Sequence, residues 1–286
     1  MIALILSIIS STLIFVIFKL FKKFEINIFQ AIVVNYFSSA LIGFLLYSDE
    51  WNPLVLKETD WMVYSIFIAF LFIILFVLMG KSAQLNGVAS TSVAVKMSMA
   101  ISLLFMIYMY SESLPTLKIA GIVLAFIGVF LVSSSNQKNI KSAGWMLLLL
   151  FLGGGILDFT LNYVLNNVLE SMTPSLFSAF CFFCAGIFGL AFIIAKSIKQ
   201  SINIEFKNII AGIILGVPNY FSIYLLLLSY QTTGWEDSTV LAITNVSVVL
   251  FSAIIGFIAF KENAGSRKII GLISAVLAIT ALYIAS

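Results

Sequence analysis

Two ionisable side chains lie inside long apolar stretches of the sequence, where few residues can do chemistry. Lys96 falls in the first half of the stretch 88–110, and Asp158 falls in the stretch 144–168. A charge at the centre of a membrane helix costs about 2.5–3.5 kcal/mol on insertion scales, so it usually faces a protein interior or a wet cavity. We expect Lys96 and Asp158 to share one cavity, as a pair whose ionisation responds to a substrate or a proton. The alternative is a structural ion pair, or an aspartate held by Asn162 and the local backbone.

The stretch around Asp158 carries amide side chains at a helical spacing. Asp158, Asn162 and Asn166 recur every four residues, which places them on one face of a helix. We expect this face to line a cavity; the alternative is that it joins neighbouring helices through hydrogen bonds. The glycines at 153–155 permit close approach of another helix or local unwinding. They do not form a phosphate-binding loop, because no Lys-Ser or Lys-Thr pair follows them.

Further polar side chains in apolar stretches are weaker candidates for contact with a substrate. They are Asn35, Tyr36, Gln84, Asn219, Tyr220 and Asn245. Pro218, which precedes two of them, is expected to kink its helix and free a backbone carbonyl. Glu112 and Glu262 stand where apolar stretches end, and we expect them to order loops rather than to bind a substrate.

The composition indicates that membrane helices must position these residues. The 286 residues are 62% hydrophobic and 9% charged, whereas about 25% of the residues of a soluble domain are charged. A spanning helix needs ~20 apolar residues, so the chain has room for about ten spans and no sizeable soluble domain. Apolar stretches and the turn-forming breaks between them predict spans at 2–19, 28–47, 62–85, 88–110, 115–133, 144–168, 174–196, 208–231, 238–260 and 266–285.

Several kinds of chemistry are disfavoured by the residues that the sequence contains. It has no histidine, which is the commonest metal ligand and general base. Cys181 and Cys184 fall one helical turn apart in one apolar stretch, and we expect them to be packing residues; the alternative is a redox or metal pair. No metal, cofactor or nucleic acid is therefore expected to bind. Unclustered carboxylates disfavour an intramembrane enzyme, and the lack of a repeated filter sequence disfavours a channel.

Lysine and arginine are distributed unequally between the predicted loops. Placing the loop of Lys22 on the cytoplasmic side leaves Lys57 and Lys118 on the other side, with Lys96 inside the membrane. Because positive residues concentrate in cytoplasmic loops, we expect both termini outside. The expected location is the cytoplasmic membrane, as an integral multi-pass protein.

One spacing occurs once in each half of the sequence. Glu112 precedes Gly121 by nine residues, and Glu262 precedes Gly271 by the same nine. This echo predicts a duplicated unit of five helices. Because five is an odd number of spans, the second copy must cross the membrane in the opposite orientation, as in many transporters.

This pattern resembles the drug/metabolite transporter superfamily and, within it, the EamA-like permeases. The resemblance rests on a glutamate that closes one helix shortly before a glycine-bearing helix, in both halves. The residues are Glu112, Gly121 and Gly128 in the first half, and Glu262 and Gly271 in the second. Length, span count and duplication extend the resemblance over essentially the whole chain. It implies a ten-helix bundle with an inverted pseudo-twofold axis, a central cavity and alternating access by rocking helical hairpins.

Two features depart from the pattern of this family. Many relatives carry a proline early in the fourth helix, where Ser98 or a neighbour stands here, and Lys96 is an unusual addition. Relatives of this type also often have cytoplasmic termini, whereas the distribution of lysines here favours termini outside.

The predicted fold class is an all-α polytopic membrane protein with about ten transmembrane helices. They form two inverted five-helix repeats, residues 1–137 and 138–286, around a central cavity. The expected activity is secondary active transport of a small polar or amphipathic metabolite by alternating access, coupled to a proton or a counter-substrate. Membrane lipid and the small-molecule substrate are the expected partners of a monomer or homodimer. The alternative is a channel or a structural membrane protein, with an intramembrane enzyme less favoured.

Overall fold

The regular elements of the computed structural model are helices throughout the residues that it describes. Those residues are 1–47, 60–110, 115–133, 143–169, 173–198, 203–235, 237–263 and 265–285. The helices are α1 (Ile2–Lys23), α2 (Ile28–Leu45), α3 (Asp60–Leu85), α4 (Val88–Met97), α5 (Met99–Tyr110), α6 (Thr116–Ser133), α7 (Gly144–Asn167), α8 (Pro174–Ser197), α9 (Phe206–Thr232), α10 (Asp237–Ile258) and α11 (Ser266–Ile284). Glu112 lies outside the described residues.

The number of predicted spans agrees with the length and composition of these helices. Within the described ranges, eight helical stretches are long and apolar enough to cross a membrane, and one of them is Val88–Phe105, which joins α4 to the start of α5. Two further apolar helices are shorter, at Thr116–Val132 and Ile243–Ile258. The prediction of an all-α polytopic membrane protein with about ten spans is thereby confirmed.

Two of the predicted helices differ from those observed. The first helix does not end before its basic residues, because Lys22 and Lys23 form the last turn of α1. Positive side chains stabilise this end of a helix by interacting with its macrodipole. The fourth span, Val88–Phe105, carries a one-residue interruption at Ser98 between α4 and α5, where φ and ψ stay helical at −52° and −26°.

The chain divides into two compact units, each assembled from distant parts of the sequence. Unit 1 contains Met1–Leu20, Leu78–Phe159 and Phe221–Ser286, and unit 2 contains Phe21–Val77 and Thr160–Tyr220. Each unit therefore takes segments from both predicted repeats. The division of the chain into repeats at residue 137 stays a prediction.

The most extensive helix packing within each unit joins corresponding members of the two predicted repeats. In unit 1, α6 packs on α11 and α4 packs on α10, which pairs the fifth span with the tenth and the fourth with the ninth. In unit 2, α2 packs on α8, which pairs the second span with the seventh. Small residues allow close packing between α6 and α11, since a Cβ at Gly128 would lie 3.1 Å from the carbonyl oxygen of Gly271.

A buried carboxylate links several helices of unit 1. Glu262, whose side chain is only 6% exposed, lies 3.1 Å from the ammonium of Lys268 and 3.4 Å from that of Lys19. Its Oε1 atom also accepts a 2.7 Å hydrogen bond from the backbone N–H of Val88, the first residue of α4. Gly87 precedes α4 with φ of +95°, and a Cβ at this position would collide with the Glu262 carboxylate. Glu262 therefore joins α1, α4 and α11, a larger role than ordering its own loop.

Replacing Glu262 with glutamine tests whether this carboxylate stabilises unit 1. We expect Glu262→Gln to lower the free energy of unfolding by about 3–5 kcal/mol, because it leaves buried ammonium groups without their counter-charge. The measurement is the midpoint of denaturant unfolding of the purified protein in detergent.

Glu205→Gln provides the matched control. Glu205 pairs with Lys207 at 2.8 Å, but both side chains are more than two-fifths exposed, at 46% and 43%. Exposed ion pairs contribute little to stability, so this variant should unfold close to the wild-type midpoint. Equal losses in the two variants would contradict the role assigned to Glu262.

Candidate functional site

The interruption of the fourth span at Ser98 is the centre of a polar site in unit 1. Ser98 has φ of −52° and ψ of −26°, and its Oγ lies 2.7 Å from the carbonyl oxygen of Val95. Serine in a helix often bonds to a backbone carbonyl of the preceding turn in this way, and such bonds bend helices. The same Oγ lies 2.8 Å from Oδ2 of Asp158 on α7. Asp158 is thus hydrogen-bonded to the residue at which the span is interrupted.

Two glycines let α7 come close to the interruption. A Cβ at Gly154 would lie 2.8 Å from the Cβ of Ser98, and one at Gly155 would overlap the side chain of Ile101. Real Cβ atoms essentially never approach so closely. The glycine run therefore serves the close approach of helices, and it brings Asp158, one turn further along α7, to Ser98.

Lys96 lies two residues before the interruption, on α4. It is partly buried, and Asp158 is the charged group that acts on its ammonium electrostatically. Among the described residues, no hydrogen bond or ion pair to Lys96 is formed. The structure therefore brings the two predicted residues to one place, while the direct partner of Asp158 is Ser98. The functional pairing of Lys96 with Asp158 stays a prediction.

Two other predicted residues of unit 1 have different surroundings. Asn245 of α10 is 5% exposed, and its Nδ2 lies 3.7 Å from the sulfur of Met99, the first residue of α5. It therefore places an amide against the residue that follows Ser98 in the chain. Gln84 instead donates from Nε2 to the carbonyl oxygen of Phe18, at 3.2 Å, and so joins α3 to α1.

Asn35 and Tyr36 lie in unit 2 and are fully buried, at 0% exposure. Within the described part of the chain, neither polar atom of the Asn35 side chain has a hydrogen-bond partner, and nor does the Tyr36 hydroxyl. The Tyr36 ring lies 5.4–6.3 Å, centroid to centroid, from the rings of Phe72, Phe76 and Phe182. Buried polar groups in native proteins are normally paired, so this aromatic cluster holds hydrogen-bonding capacity that the fold itself does not use.

The other predicted residues of unit 2 have hydrogen bonds within it. Nδ2 of Asn219 lies 3.3 Å from Oγ of Ser39, and the Tyr220 hydroxyl lies 3.4 Å from a serine hydroxyl of α8. Asn162 is partly buried, and its Oδ1 accepts a 3.2 Å hydrogen bond from Nδ2 of Asn166. The predicted polar face of α7 therefore bonds partly to itself, since the two asparagines are four residues apart on one helix.

Ser98 belongs to the candidate site in the structure but is not among the candidates that the sequence predicts. In the sequence it stands out only as the residue found where many relatives carry proline. The usable signal was its position, two residues after Lys96 in the middle of an apolar stretch. A hydroxyl at such a position bonds to the helix backbone or to a neighbouring helix.

Replacing Asn35 with leucine tests whether the buried amide of Asn35 contributes to the stability of the protein. Leucine has a similar volume and removes buried polar atoms that have no partner, so we expect Asn35→Leu to raise the free energy of unfolding by about 1–3 kcal/mol. The measurement is the unfolding midpoint in detergent.

Asn208→Leu is the matched control in the same unit. Asn208 is 2% exposed, donates to Oε1 of Gln30 at 2.7 Å and accepts from the backbone N–H of Asn27 at 2.9 Å. Its replacement by leucine leaves the Gln30 side chain and the Asn27 backbone N–H without their hydrogen bonds, so the protein should be destabilised. Destabilisation of similar size by Asn35→Leu would mean that its amide is paired after all.

Comparison with known proteins agrees with this architecture. The family model of the EamA-like transporter family matches residues 1–134. An uncharacterized protein of Haemophilus influenzae is 27% identical over 290 residues, covering 98% of this chain and 97% of the relative. A protein of known crystal structure superposes with a TM-score of 0.60 at 12% identity, covering 98% of this chain and 99% of that one; this likeness shows a shared fold alone. The resemblance to EamA-like transporters that the sequence predicts is therefore confirmed, by the match over residues 1–134.

Proposed function

We propose that the protein is a secondary carrier of a small polar or amphipathic metabolite across the cytoplasmic membrane, working by alternating access. The observation that carries the proposal is the 2.8 Å contact between Ser98 and Asp158 inside the apolar helices of unit 1, with Lys96 two residues before Ser98. Ionisable groups inside the membrane are costly, and they mark the pathways of substrates and ions.

The polar groups around Ser98 are suited to binding a substrate at the depth of the membrane. The substrate and coupling-ion sites of many secondary carriers lie near the middle of the bilayer. In unit 1 the interruption carries a cation, a carboxyl group, a hydroxyl and an amide, from Lys96, Asp158, Ser98 and Asn245. This set offers both charge and hydrogen bonds to a polar molecule.

The pairing of helices within each unit supports two inverted repeats. A pseudo-twofold axis relates each helix of one repeat to its counterpart, so helices near the axis contact their own counterparts. The packing of α6 on α11, α4 on α10 and α2 on α8 follows this pattern. Inverted repeats support alternating access, because the two halves can exchange conformations about a central site.

The carrier is favoured over the other classes by the family match and by the kind of residues at the site. The matched family is one of transporters, which favours a carrier over an intramembrane enzyme. A pore would require rings of charge or of carbonyl groups around a filter. Flux measurements separate the two, because a carrier saturates and shows counterflow, whereas a pore gives unitary currents.

The substrate class is best found with a thermal-shift screen of the purified full chain. The screen compares amino acids, nucleosides, sugars, organic acids, phosphorylated metabolites and cationic drugs. A ligand that binds the folded state raises its stability by mass action. A compound that stabilises the protein is then loaded into proteoliposomes to measure saturable uptake and counterflow. Unitary currents in place of saturable flux would overturn the carrier proposal.

Removing the charge of Lys96 tests its role in transport. We expect Lys96→Met to abolish saturable uptake while the protein stays folded, because methionine keeps the apolar stem and loses the ammonium that acts in the site. Transport in proteoliposomes and the elution profile of the detergent-solubilised protein are the two measurements.

Lys22→Met controls for a general loss of positive charge. Lys22 is exposed in the last turn of α1, and its replacement should leave uptake close to wild type. If Lys96→Met transports as well as the wild type, the ammonium of Lys96 has no role in transport.

A further inference from the structure

The hydroxyl of Ser98 has two short oxygen contacts but only one proton to share between them. Its Oγ lies 2.7 Å from the Val95 carbonyl oxygen and 2.8 Å from Oδ2 of Asp158. Both distances are those of an O–H···O hydrogen bond. A carbonyl oxygen only accepts, and an ionised carboxylate also only accepts. With Asp158 ionised, the single Ser98 proton cannot make a full hydrogen bond to both oxygens.

A proton on Asp158 satisfies both contacts at once. The carboxyl O–H then donates to Oγ of Ser98, and the Ser98 hydroxyl donates to the carbonyl of Val95. The result is a continuous chain of two hydrogen bonds that ends on the helix backbone.

Lys96 is the charged group nearest to the hydrogen bonds that join Asp158, Ser98 and Val95. It acts on Asp158 from α4, and it is the one charge among the described residues found to do so. From α5, Phe105 places its ring 5.3 Å from that of Phe159, next to Asp158. The amide of Asn245 reaches the interruption from α10 without a charge. A neutral Asp158 therefore leaves the Lys96 ammonium without a counter-charge in the described site.

We propose that Asp158 binds the coupling proton and that Lys96 then binds an anionic group of the substrate. When Asp158 is protonated, the partly buried ammonium of Lys96 requires an external anion, because a buried charge is costly unless it is paired. When the proton leaves, the Asp158 carboxylate competes for the same ammonium and displaces the anion. Proton and anion thus bind and leave together, as in symport. This inference rests on the proposed carrier function and adds to it a proton site and a substrate class, small anions.

The proton site is tested by infrared difference spectroscopy on the full chain in lipid. A protonated carboxyl group gives a C=O stretching band that an ionised carboxylate lacks. We expect this band in the wild type at acidic pH and its loss in Asp158→Asn, whose amide can still donate to Ser98. Ser98→Ala should keep the band and shift it to higher frequency, because the carboxyl O–H loses its acceptor.

Glu205→Gln, on an exposed ion pair, is the control and should leave the band unchanged. A band identical in the wild type and in Asp158→Asn would overturn the proton site, and so would a band that Ser98→Ala does not move. No transport is needed for this measurement. A band that behaves as expected in a protein without saturable transport would refute the carrier function alone, whereas transport without the band would refute the proton site alone.

The anion site is tested with acetate, benzoate and inorganic phosphate as probes, and tetraphenylphosphonium as a cationic comparison. We expect at least one anion to raise the thermal midpoint of the wild type, and Lys96→Met to lose that shift. In the range where Asp158 loses its proton, the apparent affinity should fall about tenfold per pH unit, because proton and anion binding are linked. Asp158→Asn should remove this pH dependence. Stabilisation by the cation alone, by none of the anions, or by an anion equally at all pH values would overturn the coupling.

Discussion

Hydrocarbon cannot solvate a charge or an unpaired backbone group, and this constraint governs where the polar residues of the chain lie. Glu262 illustrates it in unit 1, because one carboxylate accepts a backbone N–H and faces two ammonium groups at 3.1 and 3.4 Å. The polar groups at Ser98 follow the same rule less completely, since Lys96 has no direct partner among the described residues. The charges around Glu262 pair closely with one another and stabilise the fold. The ammonium of Lys96 has no such partner among the described residues, so it is available to bind a ligand.

Much of the fold could be predicted because apolar length alone decides where a membrane span lies. The break before Gly87 and the start of α8 after Thr173 were both signalled by turn and capping residues, and the structure gives Gly87 a positive φ and Thr173 an N-cap bond. The end of α1 was placed too early because lysine, which the prediction read as a loop residue, is compatible with the last turn of a helix.

The candidate site was harder to predict because hydrogen-bond partners depend on which helices pack together. Lys96 and Asp158 were identifiable from their charge alone, but Ser98, which holds Asp158, is an ordinary residue in the sequence. Gln84 and Asn35 looked equivalent as single amides in apolar stretches. In the structure Gln84 joins two helices, whereas Asn35 has no partner in the described residues, and only the packing separates these outcomes. Glu262 likewise looked like a loop residue, because its lysine partner Lys19 is distant in sequence.

Helix α4 is held at one end by the Glu262 carboxylate and carries Lys96 near its other end. Its ten residues form a rod of about 15 Å. A helix is stiff over so short a length, so the ionic cluster that fixes the start of α4 also fixes where Lys96 lies, about 12 Å further along its axis. The position of an ammonium group inside the membrane span is thereby set by a carboxylate that does not touch it.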